Sequence, residues 1–564
     1  MDKPLIIQSD LTLLLEVNSP AYTAVRDALS PFAELVKSPE HIHTYRITPL
    51  SVWNACASGL AAAGMVAVLH QFSRYDVPGL VDDKVKEWAG RYGKVRLERD
   101  AEGDGSDGGI ILRTDDAMVE QLLVSDQAIR AMLEKRSPGR YRVNPDDRGK
   151  LKQALVKAGY PGEDLAGYRG GERLTVGLRA QTLSGGVPFL LRDYQLDAVE
   201  RFHAGGSDRG GSGIIVLPCG GGKTVVALAC MSQVGANTLV LTNNATAARQ
   251  WVGEILDKTD LREDQVGEYS GSVKQVRPVT VTTYQILTWR ERKGDPFAHM
   301  QLFDQRNWGL IIYDEVHLLP APVFQATAGL QARRRLGLTA TLVREDGREE
   351  DVFALIGPKK ADVPWKVLER EGWIASAKCH ELRVPFANDS QRMEYAVAPK
   401  RAKFRIASEN AAKLPVVRAL IADHPDEQVL VIGMYVDQLK SLAAELDVPL
   451  IQGSTAQRKR DELFDQFRAG KLRLLMVSKV ANFAIDLPDA AVAIQVSGTF
   501  GSRQEEAQRL GRILRPKPGA NCAWFYSLVT ADSVEQDFAL KRQMFLCEQG
   551  YDYEISESPA PPTS

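Results

Sequence analysis

The chain has 564 residues, a formal net charge of −2, 25% charged residues and 44% hydrophobic ones. That length exceeds what a single core supports and asks for roughly three or four domains, while the near-neutral charge excludes binding of a polyanion by bulk charge and leaves only local grooves for it. The 6 cysteines are scattered without a C-x-x-C pair, which excludes a disulfide scaffold, a zinc ribbon or an iron–sulfur cluster and fits reduced thiols in the cytoplasm; no apolar stretch approaches the ~20 residues of a membrane span, and Met1-Asp2-Lys3-Pro4 does not open a signal peptide.

Residues 1–100 read as an N-terminal interaction module. Pro4-Leu5-Ile6-Ile7 and Thr12-Leu13-Leu14-Leu15-Glu16-Val17 flank Ser9-Asp10 and predict a hairpin. Helical spacing follows at Val52, Trp53, Cys56 and Leu60, then at Met65, Val68, Leu69 and Phe72, then at Val85, Trp88, Tyr92 and Val95. No catalytic constellation occurs there. The stretch 101–109, rich in Gly, Asp and Ser, reads as a linker. Beyond it, 110–170 form a small α/β module, with strands at Ile110-Ile111-Leu112-Arg113 and Tyr141-Arg142-Val143 and helices over 117–124, 128–135 and 149–158. Arg130, Lys135, Arg136, Arg140 and Arg142 could touch phosphates, but a solvated surface is the simpler account of them.

From about residue 185 strands alternate with helices, the mark of a parallel sheet. One lobe spans 185–360. Its glycine-rich loop 203–213 precedes strand Ile214-Ile215-Val216, and further strands are predicted over 238–241, 279–282, 310–313 and 335–338. A second lobe spans 361–555, with strands over 429–432, 472–477, 493–496 and 523–526 and helices over 436–446, 456–467 and 503–514. The tail 556–564 is expected to be disordered.

The chemistry starts at Leu217-Pro218-Cys219-Gly220-Gly221-Gly222-Lys223-Thr224, between a strand and a helix. This is the P-loop context: Gly220, Gly221 and Gly222 let backbone N–H groups turn onto phosphate oxygens, Lys223 reaches the outer phosphates, and Thr224 can hold Mg²⁺. The strict pattern wants glycine where Leu217 stands. Asp314-Glu315-Val316-His317 follows its own apolar strand, expected beside the P-loop strand. There Asp314 can hold Mg²⁺ and Glu315 can polarise an attacking water. In the second lobe, Gln508, Arg512 and Arg515 stand at i, i+4 and i+7 and share one helix face. Permanently charged, planar guanidinium groups suit a phosphoryl transition state, so Arg512 and Arg515 are the candidate arginine fingers. Two lobes with one P-loop place ATP between them.

With these residues in place, the chain resembles the superfamily 2 helicases, and specifically the XPB-type DNA repair helicases of bacterial type. Leu191-Arg192-Asp193-Tyr194-Gln195 resembles the family segment in which Gln195 would contact adenine, and the looser P-loop of that superfamily accommodates Leu217. The resemblance implies strand-contacting segments at 242–251, with Thr242 and Arg249, and at Thr282-Thr283-Tyr284-Gln285, with Thr283. It implies coupling roles for His317 and for Thr339-Ala340-Thr341, and duplex opening by Arg344-Glu345-Asp346. Segments 477–488 and 498–506 resemble the next family motifs of the second lobe. The stretch 388–410 resembles the thumb-like insertion that grips DNA, through Lys400, Arg401, Lys403 and Arg405, with Tyr395 and Phe404 suited to base stacking. The 110–170 module stands where the family carries its damage-recognition domain.

The implied fold is α/β: two RecA-like parallel-sheet lobes with a thumb-like insertion, preceded by small N-terminal helical and α/β modules. The implied activity is an ATP- and Mg²⁺-dependent DNA helicase of 3′→5′ polarity acting on single strands and duplex junctions in repair. The implied partners are DNA and a repair nuclease or transcription and repair factors, at the nucleoid and away from any membrane. A duplex translocase without efficient unwinding would have nearly the same sequence. An ATP-switched scaffold is opposed by the intact Lys223, Asp314, Glu315, Arg512 and Arg515. A nuclease is opposed by the lack of a second convincing carboxylate cluster.

Overall fold

A computed structural model describes residues 3–37, 41–100, 109–218, 220–271, 273–292, 295–331, 333–340, 349–363, 368–369, 371–478, 490–498, 522–548 and 552–557. The chain divides into two compact units, the first covering Met1–Lys37, His41–Leu217 and Gly222–Val363 and the second having Pro364–Ser564 as its main body.

The first unit begins with the predicted hairpin, β1 (Leu5–Ile7) against β2 (Thr12–Glu16). Two strands not foreseen from the sequence, β3 (Glu34–Lys37) and β4 (Ile42–Arg46), extend it to an antiparallel sheet of order β1-β2-β4-β3. Helices α1 (Tyr22–Leu29), α2 (Pro49–Ala57), α3 (Ala62–Phe72) and α4 (Gly79–Arg91) bring Leu29, Val52, Met65, Leu69 and Val85 into one core with the sheet's Leu13 and Leu15.

The stretch expected to be a linker lies, apart from Gly109, outside the described residues, and the strands on either side of it, β5 (Arg96–Arg99) and β6 (Ile110–Arg113), pair antiparallel, with Leu97 opposite Leu112. The sheet runs β7-β8-β6-β5-β9, with β7 at Leu133–Ser137, β8 at Arg140–Val143 and β9 at Glu163–Leu165. Helix α5 (Ala117–Ser125) agrees with the sequence reading, but the helix expected over 128–135 is only the single turn α6 (Gln127–Arg130), after which the chain turns into β7. Helix α7 (Arg148–Lys157) packs this sheet onto the first parallel-sheet lobe: a Cβ at Gly149 would lie 2.4 Å from the backbone oxygen of Ala328, an approach only glycine allows.

The lobe itself is an all-parallel sheet of order β12-β13-β11-β14-β15-β10-β16. Its strands are β10 (Ser212–Val216), β11 (Thr238–Thr242), β12 (Val266–Tyr269), β13 (Val279–Thr283), β14 (Leu310–Asp314), β15 (Arg334–Thr339) and β16 (Lys359–Asp362). Both faces are covered, so the strands read as continuous apolar runs. Alternate residues serve opposite faces: Ile215, Leu217, Val240 and Ile312 join one core, and Ile214, Val216, Leu241 and Tyr313 join the other. The P-loop strand β10 and the acidic strand β14 are not neighbours as expected; β15 runs between them. The order β14-β15-β10 still sets the carboxyl ends of all three strands along one sheet edge, where open α/β sheets bind ligands.

In the second unit the parallel sheet is β19-β20-β18-β21-β22-β17-β23. Predicted strands appear as β18 (Val429–Gly433), β20 (Leu474–Ser478), β21 (Val492–Gln495) and β22 (Cys522–Thr530); β17 (Ser376–Val384), β19 (Leu450–Ile451) and β23 (Asp552–Glu557) were not foreseen. Because Glu557 pairs with Arg383, Ser556 and Glu557 belong to the sheet rather than to a disordered tail. The thumb-like segment is a pair of helices, Asp389–Val397 and Lys400–Ser408. Among the described residues no single helix is long and apolar enough to cross a membrane.

Candidate nucleotide-binding site

Gly220 and Gly222 both take left-handed backbone angles, φ 81° and 80°. These turn the chain out of β10 and into α9 (Lys223–Val234), whose first residues are therefore Lys223 and Thr224. The positive φ at 222 favours glycine, and a Cβ there would sit 2.4 Å from Nε2 of Gln195 and push that side-chain amide aside. Gln195 itself is buried in the first turn of α8 (Asp193–His203), where its Oε1 accepts from the Arg192 N–H at 2.9 Å. It is thus part of the P-loop's wall.

Across the sheet edge, Lys223 Nζ donates to Glu315 Oε1 at 2.6 Å. Glu315 holds φ 50° and ψ 55°, a conformation rare for a residue with a side chain. That bend follows β14 directly and separates the directions of Asp314 and Glu315. The Asp314 carboxylate accepts from Trp251 Nε1 at 2.8 Å, and its backbone carbonyl accepts from the Tyr284 hydroxyl at 2.9 Å. His317 Nδ1 lies 2.6 Å from Thr339 Oγ1 and 3.5 Å from Glu315 Oε2, which joins the ends of β14 and β15.

Burial, and then the charge of Glu315, push the Asp314 carboxyl up to about 6. Burial also pushes Glu315 upward, but the Lys223 ammonium and His317 outweigh it and hold Glu315 below its usual range. Two carboxylates therefore share one ammonium. That surplus of negative charge, on oxygen donors, fits a hard divalent cation such as Mg²⁺. The glycine turn and the N-terminus of α9 fit phosphate.

Other expected site residues separate by exposure. Thr242 and Thr283 are buried, and their hydroxyls are committed: Thr242 Oγ1 donates to the Thr282 and Asn244 carbonyls, and Thr283 Oγ1 accepts from the Ile286 N–H to cap α11 (Tyr284–Leu287). Both hydroxyls are thus engaged by the lobe's own backbone. Arg249, on α10 (Ala245–Lys258), is exposed. In the second unit Lys400 and Arg401 are exposed, Lys403 Nζ stands 5.1 Å from the Tyr395 ring centre, and Arg405 pairs with Glu409 and Asp437. Of the two rings expected to stack on bases, Phe404 is enclosed and Tyr395 is half-buried. Phe404 is buried edge-on against Phe538, and Tyr395 lies against Phe386 with its hydroxyl accepting from the Val534 N–H. Thr341, Arg344, Glu345, Asp346, Gln508, Arg512 and Arg515 lie outside the described residues. Trp251 and Tyr284 are the site residues that sequence reasoning passed over, having named them only as members of their segments. The available signal was a lone polar-tipped aromatic in each, since a buried indole N–H or phenol needs a partner.

Three family models match the chain: the ERCC3/RAD25/XPB C-terminal helicase over 368–561, the type III restriction enzyme res subunit over 188–344, and a helicase conserved C-terminal domain over 5–137. The chain is 53% identical over 558 residues to the DNA 3′-5′ helicase XPB of Kineococcus radiotolerans, covering 99% of this chain and 97% of that one. It is equally 53% identical to the DNA 3′-5′ helicase XPB of Mycobacterium tuberculosis, over 99% and 98% of the two chains. It is 33% identical to the general transcription and DNA repair factor IIH helicase/translocase subunit XPB of Encephalitozoon cuniculi, over 98% and 82%.

Proposed function

The chain belongs to the XPB family of DNA 3′-5′ helicases, and from that premise we propose that the first unit holds the ATP-hydrolysing centre of an ATP-dependent DNA helicase. The observation that carries the assignment is the Lys223–Glu315 pair at 2.6 Å, with Asp314 beside it, at the carboxyl edge of a parallel sheet. In this reading Gly220, Gly221, Gly222 and the N-terminus of α9 bind the phosphates, Lys223 bridges their outer oxygens, and Thr224 and Asp314 hold Mg²⁺. Bound ATP·Mg²⁺ supplies the phosphoryl group and the free energy of its transfer to water. Glu315 then orients the attacking water, and its depressed basicity suits it to positioning more than to strong proton abstraction. A cation held there would offset the surplus negative charge and bring the Asp314 carboxyl back down. Gln508, Arg512 and Arg515 are proposed to complete the centre from the second lobe.

DNA is the substrate. The exposed Arg249, Lys400 and Arg401 are proposed as phosphate contacts, and Arg344-Glu345-Asp346 as the strand-separating element. Interaction with a repair nuclease or transcription factors, a damage-sensing role for the module around 110–170, and residence at the nucleoid are parts of the same proposal.

The test is strand displacement on duplexes carrying either a 3′ or a 5′ overhang. Displacement from the 3′-overhang duplex, with ATP and Mg²⁺ both required, is the expected outcome. The relative named helicase/translocase motivates the other arm: DNA-stimulated ATP turnover without any displaced strand would establish a translocase and overturn the unwinding assignment.

A further inference from the structure

We propose that Trp251 and Tyr284 are positioning residues that transmit DNA occupancy at the sheet edge to Asp314. The inference rests on the reading above, in which Asp314 holds Mg²⁺ and the segments after β11 and β13 border DNA.

The two donors reach one residue from opposite sides of the sheet. Trp251 belongs to the core on one face, with Val240, Ala248 and Ile255, while Tyr284 belongs to the core on the other, with Leu241 and Leu287. Each is 3% exposed. The indole fixes the Asp314 carboxylate and the phenol fixes its carbonyl. The sheet order β13-β11-β14 makes this possible: Thr242 pairs with Thr283, and Leu241 pairs with Tyr313, so the three strands end together. Helices α10 and α11 follow those ends closely: Tyr284 comes directly after β13, and Trp251 stands in the second turn of α10.

An indole N–H has no second way to be satisfied; it donates or it is unpaired. A displacement of α10 must therefore drag the Asp314 carboxylate or leave a buried donor without a partner, which is costly. Close packing prevents the strain from being absorbed locally. Arg249 is two residues before Trp251 on the same helix and is exposed, so a phosphate bound there acts on the same rigid segment. DNA contact at 242–251 and 282–285 would thus set the aim of the carboxylate next to Glu315. By linkage the effect is reciprocal: nucleotide with Mg²⁺ must alter DNA affinity by the same factor.

Trp251→Phe and Tyr284→Phe in the full-length chain each remove one donor and keep the ring. The measurement is the dissociation constant of fluorescent single-stranded DNA, with and without a non-hydrolysable ATP analogue plus Mg²⁺, beside the stimulation of ATP turnover by DNA. In the unsubstituted chain the two constants should differ by about fivefold or more. Each variant should bring their ratio towards one and reduce the stimulation in parallel. A variant that keeps both at the unsubstituted values overturns its own link, and equal constants in the unsubstituted chain overturn the proposal entirely. Tyr284→Phe loses a single oxygen and decides the matter if Trp251→Phe does not fold. Asp314→Asn separates the two levels: full turnover in that variant overturns the site reading itself, whereas lost turnover with normal coupling in both ring variants overturns only the present inference.

Discussion

Glu315 and Gly222 show how single residues carry the site. Glu315 keeps a left-handed backbone, φ 50°, while making a 2.6 Å bond to Lys223, so packing and charge together hold a conformation that local sterics disfavour. Glu315→Gln should leave nucleotide binding within about threefold and reduce turnover by about a hundredfold, the usual scale for one transition-state contact; equilibrium binding of a labelled nucleotide beside steady-state ATPase rates checks both. Lys223→Ala should abolish ATP turnover, and an unchanged rate would remove Lys223 from the site. At Gly222 the φ of 80° and the 2.4 Å approach of Gln195 act together. Gly222→Ala should cost about 1–2 kcal/mol in backbone strain alone and should weaken nucleotide binding, read by titration calorimetry. Lys223, Asp314 and Glu315 were legible in the sequence because their spacing after apolar strands encodes the chemistry. Trp251 and Tyr284 were not, since their role depends on which strands become neighbours.

Elements are tied together by buried polar groups as well as by apolar faces. Helix α7 presents Arg148 and Lys152, one turn apart, to Asp164 of β9, at 2.6 and 3.0 Å. Burial would raise the Asp164 carboxyl, but these two cations outweigh it and hold it far below the ordinary carboxylate range. The folded chain therefore binds fewer protons than the unfolded one between that depressed value and about 3.9, the unfolded carboxylate value. The stability this contributes is complete above about pH 4 and is lost as pH falls towards the folded value. Asp164→Asn should lower stability at pH 7 and flatten its dependence on pH below 4, measured by denaturant unfolding across pH. In the second unit Lys413, fully enclosed, bonds both oxygens of Glu535 at 3.1 and 2.9 Å and the Val496 carbonyl at 2.9 Å. Glu535 also accepts from Ser408 and from the Thr530 N–H. Lys413→Met strands that carboxylate without its cation and should destabilise the chain by about 3–5 kcal/mol, and the same unfolding measurement decides it. The sequence showed these residues only as ordinary charges, because Lys413 and Glu535 stand 122 residues apart and Asp164 meets Arg148 and Lys152 only once β9 has joined its sheet.

On the scale of the whole molecule, the modules ahead of the P-loop are built into the first lobe. Trp53 and Val156 share a core with Phe353 and Ala354, Lys152 Nζ donates to Gln331, and Asn54 accepts from the Lys359 N–H. Gln331 in turn holds the Thr327 and Leu355 carbonyls, so the network enters the helix α12 (Ala321–Gly329) that follows the acidic strand. Removal of residues 1–180 should expose Phe353 and take from Gln331 the donor to its side-chain oxygen. The truncated chain is expected to show a midpoint of thermal unfolding several degrees lower, of order 5 °C for each ~1–2 kcal/mol lost. An unchanged midpoint would show these contacts to be energetically idle.

The sequence by itself determined the two parallel-sheet lobes, the P-loop, the acidic pair and the family. Each is written locally, in apolar runs of strand length, in glycine placement and in charge spacing along a few residues. By family resemblance it also marked 242–251, 282–285 and 388–410 as expected DNA contacts, which remain proposals. Only the tertiary structure decided that β15 separates β10 from β14, that β5 and β6 on either side of the expected linker pair with each other, and that Phe404 is a core residue. It alone placed Thr242 and Thr283 inward and brought Trp251 and Tyr284 onto Asp314 from opposite faces. Strand order and side-chain partnership are properties of elements distant along the chain, and close packing, not local propensity, selects among the arrangements that one sequence pattern allows.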